Sequence, residues 1–333
     1  MTPKVSILVP IYNVSSYIKR CAISLFEQTL EDIEYIFIDD ASPDDSINIL
    51  EQLIEKYPNR KNQVKIIRHA KNRGLAATRN TAINASSGEY IAVIDSDDYI
   101  ELNMIEKLYK KAITENADIV VSDYYMEYQH TTVKKYDYVS EVKEENFKNI
   151  IIYDKTCTML WNKLVIRSLY ERADCRVPEN LNYYEDRYVM TRLYYFASKI
   201  VKINEAFYHY TQYNIHAITK TNNKMHFENV LQFWSEFDQF LKSKKLYEKY
   251  KQTMELPKVQ SKVRLIIDTR SYQLRKKFGD IFKEEEKNCL KYFSFGEKLM
   301  LILVRYKMYV LAHLFHNYLF IKSKILKKCE KYF

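Results

Sequence analysis

The first 125 residues alternate apolar runs of strand length with amphipathic stretches of helix length, and that alternation leaves few folds open. The apolar runs are VSILVPI (Val5–Ile11), EYIFID (Glu34–Asp39), VKIIRH (Val64–His69), YIAVI (Tyr90–Ile94) and DIVVS (Asp118–Ser122). Between them, Ser16–Gln28, Ser46–Tyr57, Ala76–Ala85 and Asn103–Asn116 carry apolar residues at helical spacing. Such an order predicts an α/β fold: a mostly parallel sheet with helices on both faces. Right-handed crossovers then bring the carboxyl ends of the strands to one edge, where open α/β sheets bind ligands. SPDD at Ser42 reads as a helix cap with Pro43 at the first helical position.

Residues 130–150 are polar and read as a connecting excursion. From Thr158 to Thr219 the alternation returns, with a helix predicted near Glu185–Ala197 and a strand near Ile200–Ile203. Beyond 220 the pattern is helical and rich in Lys, Tyr and Phe. The expected organisation is an α/β domain over 1–219, in halves of about 1–125 and 126–219, then a basic helical region over 220–333.

Glycine narrows the chemistry. Only four are present and the first is Gly74, so neither a dinucleotide fingerprint nor a P-loop follows the first strand. A nucleotide bound here must be held by side chains and carboxylates. Gly74 itself reads as a backbone turn. The five cysteines, scattered at Cys21, Cys157, Cys175, Cys289 and Cys329, suggest neither a disulfide framework nor a zinc site, and a reducing cytoplasm is expected. The apolar stretch Val5–Ile11 is too short for a signal peptide.

Acids collect where strands end. Asp39 and Asp40 close the second apolar run, and Asp95, Asp97 and Asp98 follow the fourth. Polar loops account for the first pair equally well. Three carboxylates within four residues repel one another unless a cation offsets them. Hard oxygen ligands suit Mg²⁺ or Mn²⁺, which keep positions open for substrate phosphates.

The series VSILVPIYN, SLFEQTL, FIDDASPDDS, NRGLAATRN and GEYIAVIDSDD resembles the successive signatures of the family 2 glycosyltransferases, in order, across about the first 110 residues. The resemblance implies the GT-A fold and an inverting, metal-dependent transfer of a sugar from a nucleotide diphosphate, a UDP-sugar. It places Pro10, Tyr12 and Asp40 around the nucleotide base and Arg79 near base or phosphate. It makes Asp95 and Asp97 the DxD pair: Asp97 a ligand of Mn²⁺ or Mg²⁺, Asp95 near ribose and metal, and Asp98 a helper. Thr78 stands where the family commonly has alanine.

In NLNYYEDRYVMTRLYYF, acids at a helix start would also suit the helix dipole. The segment resembles the family's ED signature, which makes Asp186 the general base and leaves Glu185 to shape its surroundings. No carboxylate nucleophile is needed for a single inverting displacement. Weaker likenesses put Trp161, Asn162 and Lys163 along an acceptor cleft and His209 and His216 against a diphosphate. A capsular, O-antigen or exopolysaccharide pathway and a glycan or lipid-linked glycan acceptor follow by family analogy. The rivals are a non-catalytic or nucleotide-sugar-binding scaffold of the same fold, and a sugar-nucleotide pyrophosphorylase, which would want a glycine-rich loop after strand one.

Charge sets the last third apart. Residues 220–333 carry 25 Lys and Arg against 12 Asp and Glu, a net of +13 in a chain whose total is +9. An anionic membrane surface attracts these charges as well as nucleic acid does, and no nucleic-acid partner is expected. Leu299–Ile321 is apolar at helical spacing but broken by Arg305, Lys307, His313, His316 and Asn317. It suits a helix lying on the inner face of the cell membrane, or one packed within the protein or on a second copy, and not a spanning helix.

Overall fold

Among the described residues, nine strands form one sheet: β1 (Val5–Ile11), β2 (Ile33–Asp39), β3 (Val64–Arg68), β4 (Tyr90–Val93), β5 (Tyr99–Ile100), β6 (Ile119–Glu127), β7 (Thr132–Lys135), β8 (Lys163–Ile166) and β9 (Ile200–Thr211). The computed structural model from which they are taken describes residues 2–152, 156–215, 217–218, 224–269 and 271–317. The strand order is β3-β2-β1-β4-β8-β6-β9-β5, with β7 added to β6.

β3, β2, β1 and β4 run parallel. Val5, Ile7, Val9 and Ile11 alternate with Leu8 and Ser6 on the opposite face, and all are buried, because helices cover both sides. This is why β1 reads as an apolar run broken only by Ser6. Of the intervening helices, Ile18–Phe26, Ser46–Ile54 and Met104–Glu115 fall within the predicted stretches, and Leu75–Ala85 begins one residue before its own.

SPDD does something other than cap. The helix begins at Ser46 with Asp45 before it and no side-chain cap, while Asp44 ties the loop after β2 to the loop after β1. Its carboxylate accepts from Ser42 Oγ, Ser46 Oγ and the backbone N–H of Ser15. Partial burial opposes the charge, yet these hydrogen bonds hold the Asp44 carboxyl well below the usual range.

The second half turns the sheet mixed. β8 lies antiparallel between β4 and β6, β9 runs parallel to β6, and β5 pairs antiparallel with β9. The 130–150 stretch is not a plain excursion: it forms β7 and leads into the helix Lys143–Ile152. β7 is exposed along its whole length, so no apolar alternation marked it, and it exists by pairing backbone with β6. β9 runs far past the expected Ile203. Exposed Asn204 and Glu205 interrupt its pattern where the register against β6 shifts, between Ser122 and Tyr124.

The chain divides into two compact units, Met1–Ala217 and Ile218–Phe333. The second is helical: Lys224–Ser243, Tyr247–Asp268, Tyr272–Gly279, Lys283–Cys289 and Phe295–Arg305 are its α-helices, followed by a helical stretch over 309–317. Phe233, Trp234, Phe237 and Met254 fill its core, and a buried Lys262–Glu286 pair at 2.6 Å also draws Lys262 onto the carbonyls of Gly279 and Ile281. No described helix is long and apolar enough to cross a membrane.

Candidate active site

The ends of β1, β2 and β4 meet at one edge of the sheet, as parallel register requires. Asp40 follows β2, its N–H donating to the carbonyl of Ile11 at 3.0 Å. Its carboxylate accepts from the backbone N–H groups of Arg73 (2.9 Å) and Gly74 (2.8 Å) and lies 2.6 Å from His69 Nδ1. Asp40 therefore shapes the turn that starts the helix Leu75–Ala85. Gly74 stands there at φ +88°, and a Cβ would lie 2.5 Å from the Asn182 side chain. Only glycine fits both the angle and the space. Pro10 sits in β1 opposite Ile38, and Tyr12, just past β1, is 48 % exposed.

After β4 the acids part company. Asp98 is fully buried, accepting from Tyr208 Oη at 2.7 Å and from the Thr211 N–H at 2.7 Å. It anchors the turn to β9 and does not face a ligand. Burial, then the charges of Asp97 and Asp95, push its carboxyl well up. Asp97 accepts from Asn214 Nδ2 at 2.8 Å, while its carbonyl is held by Thr211 Oγ1 and Arg20 Nη2. Burial and then the neighbouring Asp95 raise the Asp97 carboxyl, and the Asn214 hydrogen bond and the Arg20 charge offset only part of that rise. Among the described residues no group of three or more His, Cys, Asp or Glu is placed to hold a metal. Two hard oxygen donors still fit a divalent cation that completes its shell with water and phosphate oxygens.

The helix Leu75–Ala85 carries the centre of the site. Arg79 is nearly buried, with Nη1 2.7 Å from Glu185 and 2.6 Å from Asp186, and Nη2 3.0 Å from Asp95. The side chain expected near a base or phosphate is thus spent on three carboxylates, which keep it permanently charged. Glu185 and Asp186 open the helix Glu185–Phe196 immediately after Tyr184, whose φ of 75° turns the chain toward Arg79. Burial pushes both carboxyls up. The charge of Asp186 adds to this for Glu185, while Arg79 pulls both down. Asp186 keeps 13 % of its side chain exposed and Asp95 25 %, against 8 % for Glu185.

The same helix fixes the approach to that pair. Asn80 donates to the carbonyl of Val177 at 2.7 Å and accepts from its N–H at 3.0 Å. Asn182 Oδ1 accepts from the Ala76 N–H at 2.9 Å, and Arg73 pairs with Glu179. These contacts hold the segment 177–186 to the first half.

Two expectations fail. Trp161, Asn162 and Lys163 do not line a cleft: all are buried. Trp161 stacks on Tyr208 at 4.3 Å, Asn162 bonds the Ser122 carbonyl and Asp137, and Lys163 donates to the carbonyls of Cys157 and Met159. A buried ammonium requires such acceptors, and they leave none of its donors facing outward. His209 is likewise committed. It lies between the rings of Tyr99 and Tyr125, with its two nitrogens 2.7 Å from Glu127 and 2.9 Å from Glu101. His216 lies outside the described residues. Residues missed from sequence are Asn182, Asn80, Asn214 and Tyr208; only their distant partners give them meaning.

A mixed sheet with acids at its strand ends, joined by one arginine to a pair of acids at a later helix start, has the architecture of the GT-A fold. The family model described as Glycosyl transferase family 2 matches residues 6–173, and the chain belongs to that family. Its relatives include the putative glycosyltransferase EpsH of Bacillus subtilis, 32% identical over 76% of this chain and 74% of that protein. EpsJ of the same organism, an uncharacterized glycosyltransferase, is 31% identical over 70% and 67%. In fold the chain resembles S. aureus TarS 1–349, solved with UDP (TM-score 0.68, 20% identity) and with UDP-GlcNAc (0.70, 19%), each match covering 94% of this chain and 90% of that one.

Proposed function

We propose that the chain moves a sugar from a UDP-sugar to a hydroxyl of a glycan or lipid-linked glycan in one inverting displacement, within surface-polysaccharide synthesis. The observation that carries this reading is Arg79, whose guanidinium draws together Asp95 from the β4 end and Asp186 from the later helix. A donor held at the first acid and an acceptor at the second would be adjacent. TarS, which shares the fold and takes UDP and UDP-GlcNAc, supports UDP as the leaving group.

Asp186 takes the proton of the acceptor hydroxyl as its oxygen bonds to the anomeric carbon. The bond from that carbon to the diphosphate oxygen breaks, and its electron pair leaves with UDP. Burial makes Asp186 a stronger base than a solvated aspartate, and Arg79 keeps it ionised. Glu185 completes the charge around Arg79. Tyr12 offers an exposed ring face to the base beside Pro10. A carboxylate has about four acceptor positions; Asp40 spends three on Arg73, Gly74 and His69, leaving one for a ring N–H. Asp97, with Asp95 beside it, would hold Mn²⁺ or Mg²⁺, which when bound supplies Lewis-acid neutralisation of the diphosphate.

UDP release from a panel of nucleotide sugars tests the reading. Calorimetry should show UDP binding tightened by Mn²⁺ in the wild type, and Asp97→Ala should remove that gain. Equal UDP affinity with Mn²⁺ and with chelator would end the metal assignment.

A further inference from the structure

The last described segment carries a surface that sugar transfer does not use. In the helix Phe295–Arg305, Met300, Leu301, Leu303 and Val304 are buried, whereas Phe295, Ile302 and, just past its end, Tyr306 are exposed. Spacings of seven and four set these three on one stripe of the helix. The stretch 309–317 repeats the arrangement, burying Tyr309 and Ala312 and exposing Val310, Leu311 and Leu314. A Cβ built on Gly296 would stand 3.9 Å from the Phe315 ring, so the second stretch returns over the start of the first. Phe295 is 80 % exposed, Tyr306 69 % and Val310 68 %. Single exposed apolar residues are ordinary; six between 295 and 314, on two stretches that meet at Gly296 and Phe315, mark a contact surface.

Charge selects the occupant. From Phe295 to the end of the chain, eight Lys and Arg stand against two acids, Glu297 and Glu330; Lys298, Arg305 and Lys307 fall among the described residues, with Arg305 paired to Glu286, and the other five follow beyond them. Two copies meeting through these regions, each with a net charge of +13 over 220–333, would oppose like charges. A bilayer with anionic headgroups accepts both the cations and the apolar side chains. We propose that this face of the second unit docks on the surface of an anionic phospholipid bilayer, with Phe295, Ile302, Tyr306, Val310, Leu311 and Leu314 entering the headgroup layer. The contact so proposed is peripheral, and no described helix is long and apolar enough to span.

The test is cosedimentation of the full chain with vesicles of phosphatidylcholine alone and of phosphatidylcholine with phosphatidylglycerol. A triple variant, Ile302→Glu, Tyr306→Glu and Val310→Glu, changes exposed positions only, and circular dichroism verifies that it folds. Binding is expected to the anionic vesicles alone. It should weaken at least about tenfold in the variant, since each removed side chain loses its own burial. It should also weaken in 1 M salt, where the Debye length falls to about 3 Å. Absence of vesicle binding, or equal binding by the folded variant, overturns the proposal. So does a dimer seen by light scattering that the variant dissolves, which would assign the face to a second copy.

Discussion

Asp186→Asn is expected to lower kcat by about 10²–10⁴ while leaving UDP affinity within about twofold of wild type. The amide keeps the size of the side chain and a bond to the Arg79 guanidinium, so the helix start at Glu185 should hold its place. What it lacks is a lone pair able to take the hydroxyl proton. Because burial raises the Asp186 carboxyl, the wild-type kcat should fall as pH drops through a value above the ordinary aspartate pKa of about 3.9. Single-turnover assays beside UDP calorimetry separate the two effects. An equal loss of UDP affinity and rate would make Asp186 a donor-binding or structural group, not the base.

Arg79→Met should be as damaging, by another route. It leaves Asp95, Glu185 and Asp186 together without their shared cation, two of them nearly buried. Breaking a buried pair from one side costs about 3–5 kcal/mol. Part of that would be relieved as the carboxyls take up protons. Arg79 lowers the Asp186 pKa, so its loss raises it, and the acid limb of kcat moves to higher pH. Urea unfolding and a pH–rate profile read the two consequences. Unchanged stability together with an unmoved limb would show that the guanidinium does not govern the base.

The first 125 residues were legible because strands buried on both faces leave mostly apolar runs, as Val5–Ile11 and Tyr35–Ile38 do. β7 was not, since its four residues are all exposed and it is held by backbone pairing with β6 and one Thr132–Glu127 hydrogen bond. The SPDD segment misleads for a local reason: serine and aspartate that suit a cap serve equally well to tie two loops, and Asp44 does the second. Asp95, Asp97 and Glu185–Asp186 stand out in sequence as acid clusters. The partners of Arg79 do not, because they come from 16, 106 and 107 residues away and meet only once the sheet is assembled. Trp161, Asn162, Lys163 and His209 show the converse: polar and aromatic residues suited to meet a ligand are instead packed inside when their neighbours satisfy them.

Stereochemistry tests the central claim most directly. With the donor found by UDP release and an acceptor from a glycan panel, proton NMR of the first product reports the configuration at the transferred anomeric carbon. The account predicts inversion: an α-linked UDP-sugar gives a β-linked product. A product that retains the donor's configuration would contradict a single displacement assisted by Asp186.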